Sequence, residues 1–272
     1  GISLSKKLDG SKLKKENIKF LVQEAKQQIL KYYTSYDIAH IIVNNYQIDG
    51  INYSYLPDEI ESYFISLDIL FICLPTDLIL HYKKIFYKSN ILINQIICTS
   101  YAKSINYQNN LSLNGHVSFI DIGFNKTSII SYLNEKIISI DVLPIGGNDI
   151  TKDISKVLEI DLDKSEQAKL NFKQNPEILN KQNKSPDILQ KIIFARTEEI
   201  LELCNKSIKS NLFLADIIKI ILIGEGSKIL HNEYKAKTFL LKNIDFLEET
   251  LEDICQSGFR FISEPNKQEV VV

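Results

Sequence analysis

The chain contains 272 residues, of which 44% are apolar and 24% are charged, as in an ordinary globular protein with one large or two small domains. Its formal net charge of -2 argues against a nucleic-acid binder that depends on a broad basic surface. No run of about 18 apolar residues occurs, so the sequence predicts no membrane-spanning helix. The four cysteines lack metal-binding spacing and the four histidines are scattered, which leaves a zinc site or a Ser-His-Asp triad without support.

The first hundred residues predict a small α+β unit. Apolar residues at helical spacing indicate a helix over 16–31, and Pro75-Thr76-Asp77 begins a second helix that runs to about Tyr87. His40 lies in an apolar run and is expected to be a buried structural histidine. Apolar runs predict strands over 36–43, 67–74 and 91–98.

Both ends of the chain have a strand-like pattern. The sequence opens on Gly1 to Ser5 and stops on Glu269 to Val272. We therefore interpret it as a fragment of a longer protein.

A second unit begins at about His116. Its first part predicts an antiparallel meander, in which Asn134-Glu135 forms the second turn. A polar stretch over 171–187 reads as an exposed linker or insertion. The predicted strands are 117–122, 127–133, 136–143 and 217–223, and the predicted helices are 150–158, 163–172 and 186–211.

Two glycine turns, about a hundred residues apart, each follow a buried-strand pattern. The first runs from Asp121 through Gly123 to Thr127 and places a carboxylate, backbone N–H groups and a hydroxyl at one strand tip. The second, Gly224-Glu225-Gly226-Ser227, lets the backbone approach a flat ligand closely. Either turn alone is weak evidence, but together they indicate two walls of a nucleotide cleft, as in the actin and Hsp70 class of ATPases.

Several segments of the chain resemble FtsA, the actin-like protein family of bacterial cell division. The resemblance lies in the first glycine turn, the stretch Val142 to Thr151, the Glu-x-x-Lys pair in Ser165 to Lys169, the Arg-x-x-Glu stretch in Ile193 to Leu201, and the second glycine turn. His40 to Gly50 is similar to the family's small inserted domain.

This resemblance implies an α/β fold: an actin-like (ribonuclease H-like) ATPase lobe plus a small α+β inserted domain of the SHS2 type. The inserted domain is expected over 1–97, with a remnant of the first lobe at 1–5. An inter-lobe segment is expected over 98–116, and a second lobe over 117–272 with an outer subdomain at about 160–216.

The resemblance also implies a site for ATP and Mg²⁺, with no catalytic residue and no protein metal ligand assigned in this chain. Glu166 and Lys169 are expected to contact the ribose and base. The other residues that the resemblance assigns to the nucleotide are Asp121, Gly123, Lys126, Thr127, Gly146, Gly147, Gly224, Gly226 and Ser227.

The phosphate loop departs from the glycine-rich pattern of the family. Phe124 and Asn125 stand where glycines are expected, and their Cβ atoms obstruct close approach of the backbone to a phosphate. Lys126 partly compensates as a point charge, whereas Glu225 places a negative charge in the second turn. We therefore expect a weak ATPase at most, and an inactive fragment.

The function that the resemblance implies is a cell-division scaffold. Such a protein self-associates into filaments, binds the carboxyl-terminal tail of FtsZ on its outer subdomain, and contacts other division proteins through the inserted domain. It is expected in the cytoplasm, on the inner face of the bacterial inner membrane at midcell, held there by a segment outside this chain. The alternatives are the actin-like cytoplasmic protein of type IV pilus machines and an active ATPase of the sugar-kinase or chaperone type.

Overall fold

The computed structural model describes residues 1–57, 60–172, 186–211, 218–230, 243–264 and 268–270. The chain divides into two compact units, one formed by Gly1–Asn110 with Cys255–Val272 and the other by Leu111–Ile254. This grouping differs from the division expected from the sequence, which assigns 117–272 to a single lobe. The domain boundaries of that division remain predictions.

The first unit contains an antiparallel four-stranded sheet in the order β1-β4-β2-β3. Helix α1 packs on it because Leu21, Val22 and Ala25 repeat on one face and are fully buried. The elements are β1 (Ile2–Lys7), α1 (Lys15–Tyr32), β2 (Tyr36–Ile48), β3 (Ile51–Tyr53), β4 (Phe64–Pro75), α2 (Thr76–Lys88) and α3 (Thr99–Asn110). The helices predicted over 16–31 and 76–87 are confirmed.

The strand predicted over 91–98 is wrong. These residues form no regular element, and Ile91 and Leu92 are 51% and 76% exposed. An apolar run forms a strand only when another strand offers its edge for hydrogen bonding. In the described part of the first unit, the sheet is bounded by β1 and β3, and neither pairs with this run.

His40 is a buried structural histidine, as predicted. Its Nε2 accepts a hydrogen bond of 3.0 Å from the Cys98 N–H, so its Nδ1 carries the proton and donates to Glu269 Oε1 at 2.8 Å. The strand-like end of the chain lies beside β2, since the Val43 N–H donates to Gln268 O and the Val270 N–H to Ile41 O.

The second unit contains a five-stranded sheet in the order β7-β6-β5-β8-β9. The pairs β5–β6 and β6–β7 are antiparallel, as the predicted meander requires, whereas β8 runs parallel to both β5 and β9. The elements are β5 (His116–Ile122), β6 (Thr127–Leu133), β7 (Lys136–Leu143), α4 (Gly147–Leu158), α5 (Leu162–Leu170), α6 (Pro186–Asn211), β8 (Ile218–Ile223), a 3-10 helix (Glu225–Leu230), β9 (Ile244–Phe246) and α7 (Leu251–Ser263), which continues into the range of the first unit.

One apolar core lies between this sheet and its helices. Ile120 and Leu222 from neighbouring strands, Ile154 from α4, and Ile200 and Cys204 from α6 are all buried in it. Burial raises the pKa of the Cys204 thiol to about 12, so the side chain acts as a small apolar group. The polar stretch predicted over 171–187 lies mostly outside the described residues.

Candidate functional site

The tips of β5 and β8 lie side by side at one edge of the second sheet. Asp121 is the parallel partner of Ile223, so the two glycine turns begin at the same level. Gly224 has a φ of +89°, and a Cβ there would stand 2.3 Å from Asp121 Oδ1. A Cβ on Gly226 would stand 2.5 Å from Ile122 Cγ2. The close approach of the two turns therefore requires both glycines.

The first turn is closed by its own backbone. The Gly123 N–H donates to Lys126 O at 2.9 Å, and the Thr127 hydroxyl donates to Ile145 O at 2.8 Å. Thr127 is fully buried, whereas Asn125 and Lys126 are exposed. The hydroxyl expected to face a phosphate is thus engaged with the backbone of a neighbouring loop.

Helix α4 begins against the same turn, three residues before its predicted start. The Gly147 N–H donates to Gly123 O at 2.9 Å and the Asn148 N–H to Phe124 O at 2.7 Å. A Cβ on Gly146 would stand 2.6 Å from both of those oxygens, so glycine is required there. The Asp149 carboxylate accepts from the Gly146 N–H at 2.9 Å. The first N–H groups of α4 are therefore satisfied within the protein.

Glu166 and Lys169 lie one turn apart on α5 and connect it to α4. The Lys169 ammonium, 7% exposed, lies 3.0 Å from Gly147 O, 2.8 Å from Thr151 Oγ1 and 2.7 Å from Glu166 Oε2. The Thr151 hydroxyl also donates to Glu166 Oε2. Burial opposes ionisation of the Glu166 carboxyl, but the hydrogen bonds from Lys169 and Thr151 outweigh it and lower its pKa.

A cavity of about 200 Å³ lies where these segments meet. Its described lining includes the predicted residues Gly123, Gly147, Glu166, Lys169 and Gly226. The predicted residues that do not line it are Asp121, Lys126, Thr127, Gly146, Gly224 and Ser227. Gly146 and Gly224 instead pack against the first glycine turn. Ser227 closes the second turn, since its hydroxyl donates to Gly224 O at 2.7 Å.

The remaining lining residues were not predicted to belong to the site. Leu170 follows Glu166 by four positions, a helical spacing that places both on one face and was available as a signal. Lys228 follows Glu225 by three positions, and its ammonium lies 2.7 Å from Glu225 Oε1. The lining residues outside the predicted set are Phe124, Ile150, Leu170, Glu225, Lys228 and Ile229.

The described residues contain no group of three or more His, Cys, Asp or Glu side chains that could hold a metal ion. Nor does any described helix combine the length and apolar character needed to cross a bilayer.

Comparison with known proteins identifies relatives of this chain. The family model described as cell division protein FtsA matches residues 118–245, which include both glycine turns and the Glu-x-x-Lys pair. The resemblance to FtsA is confirmed. The cell division protein FtsA of Buchnera aphidicola subsp. Schizaphis graminum (strain Sg) is 25% identical over 261 residues, which cover 90% of this chain and 60% of that protein. FtsA of Neisseria meningitidis serogroup B is 46% identical over 56 residues, 21% of this chain and 14% of that protein.

This chain spans about 60% of the length of the Buchnera FtsA.

Solved structures show that the fold of this chain is that of the actin-like ATPases. A structure of the PilM-PilN type IV pilus biogenesis complex superposes with a TM-score of 0.61 at 14% identity, covering 95% of this chain and 73% of that one. MreB5 of Spiroplasma citri bound to ADP gives a TM-score of 0.50 at 17% identity, with 71% and 67% covered.

Proposed function

We propose that this chain is the greater part of an FtsA-type cell-division scaffold that binds an adenine nucleotide in its second unit. One observation carries the proposal. Four segments that the resemblance assigns to the nucleotide, separate in sequence, meet around one cavity through Gly123, Gly147, the Glu166–Lys169 pair and Gly226.

The residues present fit the nucleoside part of the ligand. Glu166 Oε2 is shared by Lys169 and Thr151, while Oε1 has no partner among the described residues and can accept from ribose hydroxyls. Phe124 and Ile150 offer apolar surface to a base. The exposed Lys126 is the side chain available for a phosphate, and Mg²⁺ would arrive with the phosphates.

The scaffold role follows from two properties of the proposed protein. Nucleotide bound between the two actin-like lobes of the full-length protein would set the angle between those lobes. That angle would decide whether protomers stack into filaments. Stacking multiplies weak contacts with FtsZ and with the membrane by avidity. We place the FtsZ tail on the outer subdomain around α6, other division proteins on the inserted domain, and membrane attachment in a segment outside this chain. The protein would then work on the cytoplasmic face of the inner membrane at midcell, with weak ATPase activity at most.

Titration of the full-length protein with a peptide from the FtsZ carboxyl-terminal tail tests the scaffold role. Micromolar binding is expected, and it should be lost when the exposed face of α6 is altered by Glu202→Lys together with Lys206→Glu. That exchange preserves both the net charge and the ion pair between these two side chains, which are 3.0 Å apart and lie outside the core. A folded protein that does not bind the peptide would contradict the scaffold role.

The alternative, a role in type IV pilus assembly, is favoured by the structural likeness to the PilM-PilN complex, which covers 95% of this chain. Titration with a PilN peptide beside the FtsZ peptide separates the two roles. A third reading, an active ATPase, requires sustained turnover of order 1 per second with magnesium. Turnover at that rate would contradict the scaffold proposal.

A further inference from the structure

We infer that residues 92–97, which form no regular element in this chain, become a β-strand in the full-length protein. This strand would pair with a strand from the part of the protein that lies outside the chain, and the resulting sheet would cover the exposed apolar side chains of α2. The inference goes beyond the proposed function, because it concerns the first unit and requires neither a nucleotide nor FtsZ.

The backbone of 92–97 has no hydrogen-bond partner in the described part of the chain. The residues on either side of it are bonded: the Ile91 N–H donates to Phe86 O and the Cys98 N–H to His40 Nε2, each at 3.0 Å. Four of the six side chains between them are Leu or Ile, so the segment is mainly apolar. Native proteins pair nearly all the backbone polar groups of apolar segments, and an open row of such groups is a template for another strand.

Helix α2 leaves most of its apolar surface exposed. Ile79 is the one buried residue among the thirteen of this helix. An exposed apolar surface that extends over a helix and the segment after it marks a place where another part of a protein binds. Between positions 78 and 92, eight large apolar side chains are at least 41% exposed: Leu78, Leu80, Tyr82, Ile85, Phe86, Tyr87, Ile91 and Leu92.

A cavity of about 370 Å³ lies between the end of α2 and the start of the unpaired run. Tyr87, Ile91, Leu92 and Ile93 supply its apolar lining. Because protein interiors are packed without voids of this size, we expect a large apolar side chain of the added strand to fill it.

A strand of the same polypeptide is the occupant that these observations favour. The chain covers 60% of the Buchnera FtsA, so a full-length protein of that size has a further portion from which such a strand can come. A strand of the same polypeptide is also present at a high effective concentration. A second copy is disfavoured by charge. Lys83, Lys84 and Lys88 are exposed on this surface and form no ion pair with a described residue, so two such surfaces would bring like charges together.

Hydrogen exchange of the full-length protein, followed by mass spectrometry of fragments that contain 92–97, tests the inference. The amides of 92–97 should exchange at least about a hundredfold more slowly than in an unstructured peptide. Thr34 and Ser35 are the internal control, because they lie in an exposed turn and their N–H groups donate to no described residue. Their amides should exchange freely.

Leu92→Asn distinguishes a buried strand from an exposed run. Leu92 is 76% exposed in this chain, so a polar side chain there would cost little if the residue stayed exposed. Burial under the added sheet should instead make the substitution lower the melting temperature of the full-length protein by about 5 °C. Leu162→Asn is the matched control, since Leu162 is 53% exposed on α5 and its substitution should shift the melting temperature by less than about 1 °C.

Slow exchange at 92–97, together with a selective loss of stability in Leu92→Asn, supports the inference. Exchange as fast as that of the control turn, or equal melting temperatures for the two variants, overturns it. Protection that appears only as the protein concentration is raised identifies a second copy as the occupant, and protection that requires an added partner identifies another protein; either result also overturns the inference. None of these measurements involves a nucleotide or the FtsZ peptide, so failure of the inference leaves the proposed function standing.

Discussion

Removal of the Lys169 ammonium should destabilise the second unit. Lys169→Met keeps most of the alkyl chain but deletes three contacts, to Gly147 O, Thr151 Oγ1 and Glu166 Oε2. A hydrogen bond to a charged group contributes ~1.5–3 kcal/mol. The loss here is smaller than three such terms because the Glu166 side chain is 33% exposed and the cavity admits water. We therefore expect the free energy of unfolding to fall by about 2 kcal/mol.

Urea denaturation of the full-length protein, followed by far-UV circular dichroism, measures this loss. Lys164→Met is the matched control, because it makes the same substitution on the same helix at a lysine whose side chain is 65% exposed. The control should show no resolvable change. A decrease below about 0.5 kcal/mol for Lys169→Met would refute the reasoning that the ammonium holds α4 and α5 together. Comparison with Glu166→Gln and the double variant then isolates the coupling between the two side chains.

Four other predictions concern single residues. Gly146→Ala should lower the free energy of unfolding by about 1–3 kcal/mol, since its Cβ would meet two carbonyl oxygens at 2.6 Å. Gly258 lies in a helix, and a Cβ there would meet no heavy atom within 4 Å, so Gly258→Ala should raise the free energy of unfolding by about 0.5–1 kcal/mol. Equal effects of the two substitutions in thermal melts would contradict both predictions. Iodoacetamide at pH 8 should modify the exposed Cys255 and spare native Cys204, whose pKa burial raises to about 12; equal rates by mass spectrometry would contradict this. Because the folded pKa of Glu166 is lowered, its contribution to stability is complete above the unfolded pKa of ~4.3 and is lost as the pH falls through the lower folded value. Glu166→Gln should therefore flatten the dependence of the urea midpoint on pH below about 4.3, and an unchanged acid dependence would count against the ion pair.

Four of the five strands in the second sheet, β5 to β8, were predictable from the sequence because each is a mainly apolar run next to turn residues, whereas β9 was not predicted. β5 and β8 are buried, and runs of this kind between turn residues indicate interior strands. The tight turn Asn134-Glu135 then required β6 and β7 to be antiparallel neighbours. Local pattern was sufficient for β5, β6 and β7 because each pairs with the strand next to it in sequence. The parallel pairing of β8 with β5 joins strands about a hundred residues apart and is not given by local pattern.

Local pattern was insufficient where structure depends on a distant partner. The run 91–98 has strand-like composition, yet neither edge strand of the described first sheet, β1 or β3, pairs with it. The early start of α4 at Gly147 depends on the oxygens of Gly123 and Phe124, which lie more than twenty positions earlier. No apolar periodicity encodes such a contact, so the predicted helix began at Ile150, the first apolar residue.

Glycine-rich turns are ambiguous evidence for a ligand, and this chain shows the physical reason. Gly146, Gly224 and Gly226 each lack room for a Cβ because of atoms of the protein itself, so folding alone requires them whether or not a nucleotide binds. Their presence in a family pattern therefore says little about function. The more informative residues are those that folding does not require, such as the exposed ring of Phe124 and the second oxygen of Glu166. A variant at Phe124 can change ligand affinity while leaving the fold intact, which separates a binding site from a tightly packed turn, whereas a variant at Glu166 also removes the ion pair with Lys169.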